Sequence, residues 1–412
     1  MLKKAAALCL SSLLVASTLP ADEGRVPHGV PHLDHVFVIV MENHAYKQII
    51  DNPNEPFVNQ YAKSANLATN YFAVAHPSLT NYLEVVGGSN FGILNDDDPD
   101  WHNSTCSTQL LLGTPLFDVA PFPPVCPIDG TGTDAATPAI DYTNEASSPN
   151  GVSNIDGHLS IPAAKNTVGK TIADQLAAAG LTWKSYQESL PPAGADKVNY
   201  SDGFFSNLLD PTTVMPKETQ GVIKQYAAKH NPFVYFRSTQ ESGLNHVVGF
   251  EGARGLFEDL GTGHVPAFSF IAPNQCNDQH GRGNAGPLCD FDPSSDGTQN
   301  GLNPGLIYQG DLTVRNLIKS IKTSPAWEEG RNAIVLVWDE NDYSNAPNTN
   351  QVVLIVDTNY GVHGVTSANF YTHFSLLKSL EAGFGLPCLN HACDESTKVM
   401  SDLFRAGGSE KE

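Results

Sequence analysis

Basic residues are scarce in this chain. Its 23 Lys and Arg stand against 44 Asp and Glu, a net charge of −21 over 412 residues. That shortage excludes the basic footprint that non-specific nucleic-acid binding needs. It also argues against electrostatic docking on anionic lipid. Charged residues of both signs make up only 16%, against 41% hydrophobic, a globular and not a disordered composition. Long apolar runs are missing too. The run from Ala5 to Ala16 is too short to cross a bilayer, and no later run is long enough. No internal repeat is visible, and no Cys-x-x-Cys pair offers thiolates to zinc.

What is present begins with an export signal. Lys3 and Lys4 precede the Ala5–Ala16 run, and small and turn-forming residues follow, with a cut expected after Ala21. Residues 1–21 then read as a signal peptide, and the mature chain is expected to be secreted or periplasmic. Cys9 follows Leu8, where a lipoprotein site prefers a small residue, so no lipid anchor is expected. Setting Cys9 aside leaves six of the seven cysteines, an even number in an oxidising compartment, where disulfides form. Sequence alone does not choose the pairing; proximity suggests Cys106 with Cys126, Cys276 with Cys289, and Cys388 with Cys393.

Apolar runs alternate with helical spacing along the rest of the chain. Strands are expected at His35–Met41, Leu181–Tyr186, Pro232–Phe236, Val265–Ile271, Ala333–Trp338 and Val352–Val356. Helices are expected at Pro56–Ala68, Thr167–Ala179, Gly221–Lys229, Leu306–Ile321 and Asn369–Ala382. This alternation implies an α/β fold with a mostly parallel sheet covered on both faces. Residues from about Asn95 to Ala164 break the rhythm and read as an irregular, disulfide-stapled insertion, and Asp290–Asn303 as a second loop of that kind. One domain over residues 22–412 is the economical reading.

Two polar pairs, one of a carboxylate and an amide and one of two carboxylates, end buried strands. Glu42 and Asn43 follow the first strand, and Asp339 and Glu340 follow AIVLVW. Ligands of open α/β sheets bind beyond the carboxyl ends of strands. Acids crowded there repel unless a proton or metal neutralises them. Each pair alone could equally be a solvated turn. A third feature is His76-Pro77-Ser78-Leu79-Thr80-Asn81-Tyr82-Leu83, with a helix expected over Thr80–Val86 and Gly87 and Gly88 behind it. Ser78 then sits at a helix N-terminus, where backbone N–H groups favour phosphate oxygens and an alkoxide. By position alone it could be no more than the helix cap. The Asp96–Asp98 run reads as a solvated loop, and the four tryptophans as packing residues. Asn245, His246, Asp98 and His102 are candidates for a site rim.

Together, VFVIVMENH, HPSLTNYL, FSFIAPNQCNDQHG, VLVWDEND and YTHFSLLKSLEAGFGLP resemble, in order, the bacterial phosphoesterase family of the alkaline phosphatase-like superfamily. That family contains acid phosphatases and phospholipases C. The resemblance implies a three-layer α/β/α fold with loop insertions. It implies a divalent metal on Glu42, Asn43, Ser78, Asp339 and Glu340, with Ser78 as nucleophile and Asn81 on a phosphate oxygen. Asp278 and His373 match polar site positions, here taken as substrate-binding, and His280 is the candidate for protonating the leaving group or holding phosphate. Relatives carry proline two residues after the nucleophile where this chain has Thr80; counting back from Asn81 selects Ser78 over Thr80.

The expected chemistry is metal-assisted attack by Ser78 through a phosphoserine. Oxygen-rich ligands favour magnesium, calcium or manganese, and nearby histidines leave room for zinc or iron. The expected partner is a small phosphate ester or a phospholipid headgroup, not a nucleic acid, and the oligomeric state is left open. An acid phosphatase is the first expectation and a phospholipase C-type diesterase the second. A non-catalytic secreted binding protein on the same fold is the reading of a different class.

Overall fold

The computed structural model describes residues 23–100, 105–106, 110, 113, 116–117, 124–137, 161–190, 205–206, 214–215, 225–242, 245–282, 289, 303–341 and 349–406. The export signal, His102, most of the 95–164 insertion and the 290–302 loop lie outside these residues.

Eight strands form the main sheet: β1 His35–Met41, β2 Asn66–Ala68, β3 Trp183–Gln187, β4 Val247–Val248, β5 Phe268–Ala272, β6 Asn332–Trp338, β7 Leu354–Thr358 and β8 Thr366–Ser367. Their spatial order is β4-β3-β5-β1-β6-β7-β2-β8, and only β7 runs against the rest. In β1 every residue from Val36 to Met41 is buried. Successive side chains point to opposite faces, so both faces of this central strand are covered. The continuous apolar run in the sequence has that cause.

The helices used below are α1 Pro56–Ser64, α2 Ser78–Gly87, α3 Ile172–Ala178, α4 Pro304–Lys322 and α5 His373–Phe384. They pack in two groups, α1 on α4, and α2 and α3 on α5. The α/β fold with a mostly parallel sheet is thus as expected. So are the three disulfides, Cys106–Cys126, Cys276–Cys289 and Cys388–Cys393.

Several elements differ from expectation. Pro232–Phe236 is not a strand: Pro232–Tyr235 is a 3-10 turn, preceded by another at Ala228–His230. A short apolar run carries no period that separates the two, and Pro232 lacks the N–H a strand ladder uses. The expected helix over Gly221–Lys229 is absent from its described part, where 225–227 is non-helical. The helix expected at Thr167 starts instead at Ile172, because Thr171 caps it by accepting from the Ala173 N–H at 3.2 Å. Helix α1 stops at Ser64, and Asn66–Ala68 joins the sheet.

Candidate active site

Strand register builds the site. Met41 and Trp338 are paired, and the Asp339 N–H donates to the Met41 carbonyl at 2.9 Å. Glu42 and Asp339 therefore leave the sheet side by side. Asn43 has φ +53° and donates its N–H to Asp339 Oδ1 at 3.1 Å. The loop after β5 joins them through Glu42 N–H to Asp278 O, 2.9 Å.

Ser78 is the first residue of α2, and Pro77 rather than Ser78 occupies the cap position. Its hydroxyl is therefore free of the capping role. Ser78 Oγ lies 3.1 Å from Glu42 Oε2 and 3.0 Å from Glu340 Oε1, and its single hydrogen can serve one of them at a time. Thr80 is turned elsewhere, donating to Ile93 O at 3.1 Å. The N-terminal N–H groups of α2 are partly committed: Leu79 donates to Asp96 Oδ1 at 3.0 Å. Asp96 is thus not a solvated loop residue, and its neighbour Asp97 is buried.

Asn81 differs from the expected phosphate ligand. Its Oδ1 accepts from the N–H groups of Val74 and Ala75, each at 3.1 Å, and its Nδ2 donates to Ala75 O at 2.7 Å and Glu340 Oε2 at 3.1 Å. Both amide hydrogens are spent on the protein, so this side chain positions Glu340. His76 does the same from the other side, with Nδ1 2.9 Å from Glu340 Oε2 and Nε2 3.0 Å from Asn341 Oδ1. His373 is also committed at both nitrogens, Nδ1 to the Tyr71 hydroxyl at 2.8 Å and Nε2 to Asp339 O at 2.6 Å. Burial lowers its pKa to about 4, so it braces the Asp339 loop as a neutral ring.

His280 is placed at the site. Its Nδ1 faces Gly281 O at 3.0 Å and its Nε2 faces the Lys229 ammonium at 3.2 Å. Burial, then the Lys229 charge, lowers its pKa to about 3. The ring is neutral with a bare Nε2, which accepts rather than donates a proton; the expected acid role does not fit this state. Asp278 is buried beneath it, with Oδ1 accepting from the His280 N–H at 2.8 Å. Its position supports His280 and His230 and does not reach out as a substrate ligand. Asn245 and His246 belong to the sheet edge: His246 stacks on Trp183 with ring centroids 4.6 Å apart, and Asn245 O accepts from Arg254 at 2.8 Å. Asp98 is exposed.

His230 and Lys229 are the residues that sequence reasoning missed. His230 Nε2 lies 3.0 Å from Glu42 Oε1 and its Nδ1 3.1 Å from Asp278 Oδ2, and the ring stacks on Tyr82. Burial, then Lys229 and His280, lowers its pKa. The only signal is the Lys-His-Asn-Pro string itself, which lies where the expected helix Gly221–Lys229 ends and the expected strand Pro232–Phe236 begins. Burial raises the pKa values of Glu42 and Asp339, and after burial the largest cause is Asp339 for Glu42 and Glu340 for Asp339. Burial and then Glu42 raise Asp278.

These donors fit a cation. Glu42, His230 and His280 offer ligand atoms all within 4.8 Å of one another. Asp339 Oδ2 is a buried oxygen with no hydrogen-bond donor among the described residues. Crowded carboxylates with raised pKa values are what a divalent ion neutralises. The mixed oxygen and nitrogen set departs from the oxygen-rich one expected and widens the range of ions.

A profile of the phosphoesterase family matches residues 50–287, more than half of the chain. The chain belongs to the phosphoesterase family. That membership bears out the resemblance to the family. A phosphate-repressible acid phosphatase of Penicillium chrysogenum is 24% identical over 335 residues, 81% of this chain and 55% of that protein. The chain thus spans about half the length of that relative. The phosphatidylinositol-3-phosphatase of Mycobacterium tuberculosis is 22% identical over 395 residues, 94% of this chain and 90% of that protein. Among solved structures, an alkaline phosphatase superfamily protein of Vibrio parahaemolyticus aligns at a TM-score of 0.44 and 10% identity, covering 90% of this chain and 72% of that one.

Proposed function

We propose that this chain is an exported, metal-dependent phosphomonoesterase of the acid phosphatase type, working through a phosphoserine at Ser78. The observation that carries the reading is the placement of the Ser78 hydroxyl at the first residue of α2, 3.0 Å from Glu340 and 3.1 Å from Glu42. The relatives' names support a phosphatase, and three disulfides support an oxidising compartment. No helix among the described residues is long and apolar enough to cross a membrane.

A divalent ion held by Glu42 with His230 and His280, or with Asn43, Asp339 and Glu340, would offset the carboxylate charge and lower the pKa of Ser78. The chain's own part is as follows. Ser78 gives its proton to Glu340, and its oxygen bonds to phosphorus as the bond to the departing alcohol breaks. The alcohol takes its proton from water, and the hydroxide so formed takes the proton held by Glu340, which restores the carboxylate. A second water cleaves the phosphoserine, restores the hydroxyl and releases inorganic phosphate.

Hydrolysis of p-nitrophenyl phosphate beside p-nitrophenyl phosphorylcholine tests the reading. Turnover of the monoester is expected, falling at least ~10³-fold in Ser78→Ala with the fold retained. Exclusive turnover of the choline diester would establish the phospholipase C reading instead, and full activity of the alanine variant would remove Ser78 as nucleophile.

A further inference from the structure

The site is lined by carboxyl groups, yet it must attract an anion. Glu42, Asp278, Asp339 and Glu340 are all buried around Ser78, with Asp96 at the helix end. Among the described residues, one ammonium reaches the nucleophile. Lys229 Nζ lies 3.3 Å from Ser78 Oγ, 3.2 Å from His280 Nε2 and 2.8 Å from Asp96 Oδ2. The ammonium thus faces the nucleophile, an imidazole nitrogen and a carboxylate at once.

Asp96 explains why the ammonium stays there. One carboxylate oxygen is fixed by the Leu79 N–H at the start of α2, and the other holds Lys229. The same helix turn therefore carries both the nucleophile and the anchor of the cation. The lysine side chain is only 16% exposed, so its charge is weakly screened. The following residue, His230, faces Glu42 from the same 3-10 turn, which fixes the backbone beneath Lys229.

We propose that Lys229 is a substrate-binding and specificity-determining residue. Its ammonium takes a non-bridging phosphoryl oxygen and favours the dianionic group of a monoester over the monoanionic group of a diester. The proposal rests on the phosphoester reading of the preceding subsection. A phosphoryl group on Ser78 brings its oxygens to the hydrogen now shared with Ser78 Oγ. A monoester offers the ammonium one more negative charge than a diester does, and Lys binds phosphate as a point charge without needing a planar fork. Asp96 acts through Lys229 and is a positioning residue.

The test compares the metal-loaded wild-type protein with Lys229→Met and Lys229→Gln on p-nitrophenyl phosphate and bis(p-nitrophenyl) phosphate. The monoester kcat/KM is expected to fall roughly 100-fold and the diester value no more than about fivefold, so that selectivity drops. Asp96→Asn is expected to lower the same ratio by a smaller factor. Equal losses on both esters, or an unchanged monoester rate, overturn the proposal. Calorimetric binding of inorganic phosphate to Ser78→Ala, with and without Lys229→Met, gives a readout independent of turnover. A loss of about tenfold or more is expected there, and unchanged phosphate affinity overturns the role of Lys229. Wild-type protein inactive on both esters would instead overturn the parent reading, and the phosphate-binding arm would then decide Lys229 by itself. Melting temperatures of each variant confirm that a folded protein is being compared.

Discussion

Gln279 accepts the indole N–H of Trp338 at 3.0 Å, and this bond joins the end of β6 to the loop that carries Asp278 and His280. The same amide donates to Ile307 O at 3.0 Å and to the buried Glu55 carboxyl. Gln279 holds φ +81°, a conformation that non-glycine residues adopt only when their surroundings impose it. Those side-chain bonds anchor Gln279 directly before His280.

A remote substitution should therefore reach the chemistry. A Cβ added at Gly310, in α4, would overlap the Gln279 side chain. Gly310→Ala is expected to destabilise the protein by ~1–3 kcal/mol and to lower kcat without altering any residue at Ser78. Urea unfolding with steady-state kinetics checks this. A variant that loses stability but keeps kcat would show that the Gln279 loop does not position His280.

Asn81 separates a positioning role from a binding role. Its four bonds run to Val74, Ala75 and Glu340. Asn81→Ala should cost ~2–4 kcal/mol of stability and lower kcat, because Glu340 loses a donor beside Ser78. KM should change less than about threefold, since neither amide hydrogen faces outward. A large rise in KM with kcat preserved would return Asn81 to the phosphate-binding role implied by the family resemblance.

Alkaline pH should loosen a second region. His391 is buried, which by itself lowers its pKa, but hydrogen bonds and charges from Asp134 and Asp394 overcome this and hold it up at about 10. Buried Glu84 faces the same group, its own pKa raised by burial, lowered by His391 and raised by Asp134. A pKa raised above the unfolded value near 6.5 means stability that is fully present below pH 6.5 and lost as pH climbs through 10. The amount is on the order of 5 kcal/mol. Unfolding in urea at pH 6, 8 and 10 should show this decline, and His391→Asn should be less stable at pH 6 but flatter with pH. An equally steep decline in the variant would assign the effect elsewhere.

How far these features were legible depended on whether they leave a period. VFVIVM and AIVLVW are continuous because both sheet faces are covered, and the acids behind them stand out against such runs. That much of the site could be read directly. The Lys-His-Asn-Pro-Phe-Val-Tyr-Phe stretch could not, since two 3-10 turns produce neither helical nor strand spacing. Lys229 in particular reads as an ordinary surface lysine until the fold carries it 151 positions back to Ser78. Asn81 and His373 come from the family resemblance, but a matched position cannot tell a side chain facing substrate from one whose donors are already spent. Only the partners do that.

The last prediction concerns which residues hold the cation. The family resemblance implies Glu42, Asn43, Ser78, Asp339 and Glu340, whereas the close group in the structure is Glu42, His230 and His280. Treatment with a chelator should abolish turnover and lower the melting temperature, because the stabilisation that a bound ion gives the folded state is lost, and burial disfavours the charged forms of Glu42, Asp339 and Asp278 that would hold it. Readdition of metal should restore both. Elemental analysis of His230→Ala then separates the two ligand sets. If His230 is a ligand, metal content and the metal-dependent gain in melting temperature should both fall, with affinity reduced by more than the ~10–100-fold that loss of an outer-shell partner costs. If it only props Glu42, metal should stay bound while kcat declines. Full activity of the chelated wild-type protein would remove the cation from the mechanism, leaving Lys229 to supply positive charge at Ser78.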